Sequence, residues 1–188
     1  MVSYKKKRIS FRRKIKGKTN YRKRLNLLKS RIPRLVIRIS NKRIVSQITN
    51  YSSQGDTVIL NVTSSDLRKK GWNYSLSNIP AAYLTGLLIG KKALSKKIDN
   101  VIPDIGFRTP VKGSKIYAVI KGAVDAKLNV PCDSSIFPSQ ERLVGEHIKK
   151  YATINKNEKQ FSRHKKQNID INDISKSFED IKKKILSE

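Results

Sequence analysis

Residues 34–40, which read RLVIRIS, constrain the fold of this chain more than any other stretch. Side chains in a β-strand point alternately to opposite faces, so this pattern places three apolar side chains on one face: Leu35, Ile37 and Ile39. Arg34 and Arg38 fall on the opposite face. We therefore expect a strand whose apolar face packs on a core while its other face presents two guanidinium groups to solvent at a fixed spacing.

Further strands follow at short connections, which favour antiparallel neighbours. An Asn-Lys turn at 41–42 leads into a second strand at 43–51, because Asn tolerates the positive φ of a tight hairpin. A Gly-Asp turn at 55–56 precedes a third strand at 57–63, which is rich in β-branched residues. The short apolar run at 101–105 would join the same sheet through a helical crossover.

Helical patterns fill the rest of the globular region. They predict helices at 21–30, 78–98, 114–128 and 138–151. Residues 116–120 could also form a strand, but the Gly and Ala residues that follow favour the helix, with Ser114 as its cap. Gly86 and Gly90 each cost about 1 kcal/mol inside a helix. We therefore expect them to let the second of these helices approach the sheet closely.

Together these elements predict an α/β fold with three layers. Its mixed sheet combines an antiparallel meander with one strand joined by a helical crossover, and helices pack on it. The expected boundaries are a basic N-terminal arm at 1–18, a globular domain at 19–151, a linker at 152–170 and a C-terminal amphipathic helix at 171–188. That helical extension carries an apolar stripe: Ile174, Phe178, Ile181 and Ile185. The stripe must dock either on its own domain or on a partner.

The distribution of charge limits the function. The chain has 42 Lys and Arg residues against 14 Asp and Glu, a formal net charge of +28. Residues 1–55 hold 18 of the basic residues and no acidic one. Self-repulsion of this size is relieved by a polyanion, and nucleic acid is the usual one. No apolar run is long enough to span a membrane, and the single cysteine, Cys132, excludes an internal disulfide.

Residue types that carry catalysis are scattered singly. Cys132 has no neighbouring base in the sequence, and a nucleophilic pair with His147 or His164 would have to form in space. Four aspartates could be imagined as a two-metal cluster, but they fall mostly at turns and caps: Asp56, Asp66, Asp104 and Asp125. The sequence therefore predicts no enzyme, no metal site and no cofactor.

Nucleic-acid binding remains, and folded RNA is the favoured ligand. No helix has the features of a DNA recognition helix, whereas the cations occupy an arm, a short helix and a sheet face, which suit the irregular grooves of folded RNA. Tyr4 and Phe11 alternate with the cations of the arm, and they could stack on bases or anchor the arm to the protein's own surface. A generic basic nucleic-acid-binding protein is the alternative that composition leaves open.

Several stretches together resemble a known family. In order along the chain they are GKTNYRKRL, RLVIRISNKRIVSQI, GDTVI, SSDLRKKGW, IPAAYLTGLLIGKKA, VIPDIG, GSKIYAVIKGAVDA and RLVGEHI. This series is similar to the 5S-rRNA-binding family of the large ribosomal subunit, number eighteen in the universal naming, in its archaeal form. The eukaryotic 5S-binding protein of the large subunit is homologous to that family. The segment after Tyr151 resembles the family least.

The resemblance implies a non-catalytic structural protein of the cytoplasmic large ribosomal subunit. It implies binding to 5S rRNA, attachment to the large-subunit rRNA in the central protuberance, and a neighbouring 5S-binding ribosomal protein as partner. Matching positions on the helix, strand and turn give RNA-facing residues: Tyr21, Arg22, Arg24, Arg34, Arg38, Asn41 and Lys42. The arm contributes Lys5, Lys6, Lys7, Arg8, Arg12, Arg13 and Lys14. Basic or polar neighbours complete the predicted RNA-binding set: Lys18, Arg31, Arg43 and Gln47.

Overall fold

A four-stranded mixed sheet forms one layer of the molecule. The computed structural model describes residues 9–154, 161–162, 164, 167 and 169–187. Its strands are β1 (Arg34–Ile39), β2 (Ile44–Asn50), β3 (Thr57–Thr63) and β4 (Ile102–Asp104). They lie in the order β3-β2-β1-β4, with β1–β2 and β2–β3 antiparallel and β4 parallel to β1. The predicted meander and crossover strand are both confirmed.

Helices make up most of the other regular structure in the described part of the chain. In chain order they are α1 (Arg12–Ile15), α2 (Tyr21–Leu28), α3 (Asp66–Lys69), α4 (Ile79–Ser95), α5 (Lys115–Asp125), α6 (Gln140–Val144), α7 (Glu146–Ile154) and α8 (Ile174–Ser187). Short 3-10 turns lie at Ser134–Ile136 and Ile171–Asp173. None of the described helices has both the length and the apolar composition needed to cross a membrane.

Strand alternation sorts the side chains of β1 and β2 between two faces. Leu35 pairs with Ile48 and Ile37 pairs with Ser46, and all four residues are buried. This face packs on helices, because α5 contacts β1 while α4 contacts β2 and β3. The opposite face of β1 carries both arginines, so the sequence pattern assigned the two faces correctly.

Helix α4 packs directly on α5 through glycines. A Cβ built on Gly86 would lie 2.0 Å from the main-chain oxygen of Val119, and one built on Gly122 would lie 2.1 Å from that of Tyr83. A Cβ on Gly90 would also meet the end of α5. The expectation that the α4 glycines approach the sheet is therefore wrong, because the backbone they approach belongs to the neighbouring helix.

The C-terminal helix α8 docks on its own domain. Helix α4 contacts the sheet and also contacts α8, so the fold has three layers, as predicted. The whole apolar stripe is buried: Ile174, Phe178, Ile181 and Ile185. The ring centroids of Phe178 and Tyr83 lie 5.5 Å apart. At the far end of α8, Nζ of Lys91 donates to the main-chain oxygen of Leu186 at 2.9 Å.

The helix predicted at 138–151 is instead two helices. Gly145 adopts a φ of +94° and ends α6, and α7 begins at the next residue. Only glycine adopts that φ without strain. The apolar spacing stays regular across Gly145, so the sequence pattern does not show that a helix ends there. Helix α7 continues to Ile154, inside the segment expected as a linker. Residues 1–8 of the expected arm lie outside the described residues.

Helix α5 confirms the helical interpretation over the strand at 116–120. Ser114 occupies its N-cap position, but the side chain makes no capping hydrogen bond. Its Oγ is buried and has no partner among the residues that the structure describes. Ser114 is therefore the N-cap residue, as expected, but it caps without a side-chain hydrogen bond. The N-cap residue of α4 does make a capping hydrogen bond, since Oδ1 of Asn78 accepts from the N–H of Ala81 at 2.9 Å.

The C-terminal end of α5 holds a strained lysine. Lys127 has a φ of +72°, in the left-handed region where an L side chain is disfavoured and glycine is not. We expect Lys127→Gly to raise the free energy of unfolding by about 0.5 to 1 kcal/mol, measured by urea denaturation. The same change at Lys92, in α4, should lower it by about 1 kcal/mol. An equal loss at both positions would contradict this interpretation.

Candidate nucleic-acid interface

The outer face of the sheet forms the floor of a cleft of about 680 Å³, called the sheet cleft below. Helix α2, the residues before it, the end of β4 and the turn that follows β4, at 105–107, border this cleft. Its polar lining comprises Arg13, Lys18, Thr19, Asn20, Lys23, Arg24, Asn26, Arg34, Arg38, Gln47, Thr49, Asp56 and Asp104. Residues predicted to bind RNA thus converge here from the arm, α2, β1 and β2.

Two local contacts set the position of α2 and the arm at the cleft. Asn20 caps the helix, because its Oδ1 accepts from the N–H of Lys23 at 3.1 Å. The ring of Phe11 lies 4.9 Å from that of Tyr21, measured between centroids. Of the two roles left open for Phe11, anchoring to the protein's own surface is the one that the structure shows.

Five alternating charges link α2, the turn before β3 and the strands β1 and β4. Arg24 donates through both Nη atoms to Asp56, at 2.7 Å each. Arg34 donates to Asp56 at 2.5 Å and to Asp104 at 2.8 Å, and Arg38 donates to Asp104 at 3.1 Å. The network contains three guanidinium groups and two carboxylates. It therefore keeps a net positive charge while fixing the direction of each arginine.

Arg34 is buried within this network. Its side chain is only 3% exposed, and it lies between the carboxylates of Asp56 and Asp104. Its Nε has no partner among the described residues. The expectation that Arg34 presents its guanidinium group to solvent is therefore wrong. Alternation correctly predicted the face of the strand, but it could not show that two aspartates distant in sequence close over that position.

Arg38 is exposed and yet held in place. Its side chain is 49% exposed. One Nη donates to the main-chain oxygens of Asp104 and Ile37, at 2.7 and 2.9 Å, and the other donates to Oδ1 of Asp104. The guanidinium group lies against Gly106, where an added Cβ would come within 3.2 Å of it. Arg38 is thus a fixed cation with a solvent-facing side.

The network makes stability depend on pH through Asp56. The hydrogen bond from Arg24 is the largest cause that lowers the pKa of this carboxyl. Such a group stabilises the fold above its unfolded pKa of about 4, and that contribution is lost as the pH falls through the folded pKa. We expect the melting temperature to fall below about pH 4, and to fall less steeply in Asp56→Asn. Equal slopes in thermal melts of the two chains would contradict the coupling.

The other predicted RNA-binding residues do not line the sheet cleft. Those exposed elsewhere are Arg12, Lys14, Arg22, Arg31, Asn41, Lys42 and Arg43, while Tyr21 is half-buried. Lys5, Lys6, Lys7 and Arg8 lie outside the described residues. Asn41 borders a second cavity of about 500 Å³, together with Phe107, Arg108 and Lys115. Phe107 lines both cavities, so the Asn41-Lys42 turn, which borders the second cavity, lies next to the sheet cleft.

The lining residues that the sequence did not assign to the site include Lys23, Asp56, Asp104 and Phe107. Lys23 lies in a run of cations, so its charge was a usable signal. Phe107 is 54% exposed, and an exposed aromatic ring beside cations is a surface on which RNA bases stack. The two aspartates gave no such signal, because a carboxylate repels a polyanion.

The residues considered for catalysis have other contacts. Asp66 accepts from the N–H of Thr63 at 2.8 Å, and Asp125 accepts from the hydroxyl of Tyr83 at 2.8 Å. Within the described ranges, no group of three His, Cys, Asp or Glu residues is arranged to hold a metal ion. Burial raises the pKa of the Cys132 thiol, which makes it less reactive as a nucleophile.

Comparison with known proteins assigns the family. A family model described as ribosomal large subunit proteins 60S L5 and 50S L18 matches residues 5–102. A curated relative from Methanothermobacter thermautotrophicus, named large ribosomal subunit protein uL18, is 41% identical over 181 residues, which cover 95% of this chain and 94% of the relative. That likeness extends past Tyr151 into the C-terminal segment. The chain belongs to the family of large-subunit ribosomal proteins that includes 60S L5 and 50S L18.

Proposed function

We propose that the chain binds 5S rRNA and attaches it to the large-subunit rRNA in the central protuberance, as a structural component without catalytic activity. Family membership supports a place in the large ribosomal subunit, and the resemblance of the sequence to 5S-binding proteins supports this choice of RNA. The observation that carries the proposal is the sheet cleft, where the fixed guanidinium group of Arg38 lies among the cations Arg13, Lys18 and Lys23.

A rigid cationic floor suits a folded RNA. Arg38 offers donors in a fixed direction, Gln47 adds an amide on the next strand, and Phe107 offers an aromatic face at the edge. Groups held in this way can match the backbone and unstacked bases of one RNA shape. Flexible lysines, in contrast, give affinity that depends little on the identity of the RNA.

Cations outside the cleft would add salt-sensitive affinity. The arm, the exposed side of α2 and the turn between β1 and β2 carry them, as Arg12, Lys14, Arg22, Lys42 and Arg43. Each phosphate that they neutralise makes the slope of log K against log salt more negative by about 0.7 to 0.9. These surfaces are suited to the large-subunit rRNA. A neighbouring 5S-binding ribosomal protein would complete the cytoplasmic assembly.

The proposal is tested by measuring affinity for 5S rRNA, a tRNA and duplex DNA at several salt concentrations. We expect all three affinities to fall steeply with salt, because phosphate contacts supply most of the binding free energy. A preference for 5S rRNA of at least about tenfold should persist at high salt, because fixed groups in the sheet cleft do not depend on counterion release alone. Equal affinities for the three ligands would instead identify a generic nucleic-acid binder.

A further inference from the structure

An acidic residue, Asp104, lies on the floor of a surface that we propose binds a polyanion. Its side chain is 11% exposed, and both carboxylate oxygens accept hydrogen bonds. Oδ2 accepts from Arg34 at 2.8 Å, while Oδ1 accepts from Arg38 at 3.1 Å and from the N–H of Gly106 at 2.9 Å. The main-chain oxygen of Asp104 accepts another hydrogen bond from Arg38, at 2.7 Å. One residue therefore orients two arginines.

Gly106 completes the binding position of the Arg38 guanidinium group. Its φ of +64° turns the chain back towards β1, and its missing side chain leaves room for the guanidinium group. A Cβ at this position would lie 3.2 Å from Cζ and 3.3 and 3.4 Å from the Nη atoms of Arg38. Alanine would therefore press on the guanidinium group itself while leaving the Arg34–Asp104 ion pair in place.

Simple electrostatics and this geometry make opposite predictions for Asp104. A carboxylate near phosphates lowers affinity for every RNA, so its removal would tighten binding without regard to RNA shape. The orientation of Arg38, in contrast, affects affinity only for an RNA whose shape matches it. A guanidinium group that is fixed before binding loses little conformational freedom when it contacts its target, whereas a freed one serves all RNAs alike.

We propose that Asp104 and Gly106 are positioning residues, which hold the Arg38 guanidinium group in the orientation that selects 5S rRNA. The inference rests on the proposed function. Arg34 contributes indirectly, because its bond to Oδ2 fixes the carboxylate whose Oδ1 holds Arg38.

The test measures the ratio of the dissociation constants for tRNA and for 5S rRNA, with the full chain carrying Asp104→Asn or Gly106→Ala. Asp99→Asn controls for the lost charge, since Asp99 is exposed outside the sheet cleft. Gly113→Ala controls for backbone strain, because its φ is +67° and its added Cβ would meet no atom closer than 3.7 Å. We expect the ratio to fall about tenfold in both test variants and to change by less than about twofold in both controls.

The outcomes separate the alternatives. Tighter binding of both RNAs by Asp104→Asn, with an unchanged ratio, would make the carboxylate a merely repulsive charge and overturn the inference. If Asp104→Asn does not fold, Gly106→Ala decides: a tenfold loss of the ratio supports the inference, and an unchanged ratio overturns it. A wild-type chain without preference for 5S rRNA overturns the proposed function together with this inference. A selective wild-type chain with equally selective variants overturns the inference alone.

Discussion

Arg34→Ala is expected to lower the free energy of unfolding by about 3 kcal/mol, the lower end of the cost of breaking a buried ion pair. The Arg34 side chain is 3% exposed and bonds the carboxylates of Asp56 and Asp104. Alanine removes a partner from both carboxylates at once. The lower end applies because Asp56 keeps Arg24 and Asp104 keeps Arg38. Urea denaturation at neutral pH measures the loss.

Arg38→Ala should show the reverse pattern, because the Arg38 side chain is 49% exposed. We expect its stability to stay within about 1 kcal/mol of the wild type and its affinity for 5S rRNA to fall about tenfold. Arg68→Ala is the matched control, since it removes the same charge from an exposed position outside both the sheet cleft and the predicted RNA-binding set. Loss of 5S affinity by Arg34→Ala in a chain of undiminished stability would contradict this division between a structural and an RNA-facing arginine.

Gly86→Ala is expected to cost at least about 2 kcal/mol of unfolding free energy. Alanine favours a helix over glycine by about 1 kcal/mol, which alone would stabilise α4. The added Cβ would lie 2.0 Å from the main-chain oxygen of Val119, so α4 and α5 must separate. Overpacking of this kind costs about 3 kcal/mol, and the clash with backbone outweighs the propensity gain.

The control for Gly86→Ala is Lys92→Ala, on an exposed position of the same helix. It tests the response of α4 to alanine without a clash, and we expect a change within about 0.5 kcal/mol. Thermal melting and urea denaturation of both variants measure the difference. A Gly86→Ala chain more stable than the wild type would show that the close contact between α4 and α5 contributes nothing.

Local patterns were enough to predict the sheet. The alternation of 34–40, the Asn-Lys turn and the β-branched run at 57–63 are short-range signals, and each element formed close to its expected bounds. The apolar stripe of α8 could be predicted in the same way, because a 3.6-residue period depends only on neighbours along the helix. The surface on which that stripe docks could not be predicted from the sequence, since it lies on α4, about half the chain away.

Features that depend on distant residues escaped prediction for the same reason. Gly86 signalled a close approach, but the sequence could not say whether a strand or α5 would supply the partner. Gly145 broke a helix whose apolar spacing continued across it. The burial of Arg34 required Asp56 and Asp104, which are 22 and 70 residues away in the sequence, to converge on one guanidinium group.

The candidate site was predicted in composition more than in geometry. Charge marked Arg13, Lys18 and Arg38, and the structure gathers these three at one cleft. Charge could not distinguish a free cation from a neutralised one, so it ranked Arg34 equal to Arg38. It also passed over Asp104, because the benefit of an acid in a basic cleft appears only when the arginines it orients are seen.

Directed cleavage of 5S rRNA tests the role of the sheet cleft most directly. Cys132 is the only cysteine, so a Cys132→Ser chain can carry an iron chelate on a single introduced cysteine. Asn26→Cys places the probe on the exposed lining of the cleft, whereas Lys183→Cys places it on the exposed side of α8, in the opposite layer. Hydroxyl radicals generated in the complex should cut 5S rRNA from the Asn26 position and leave it intact from the Lys183 position. Cleavage from Lys183 alone, or equal cleavage from both, would contradict binding through the cleft.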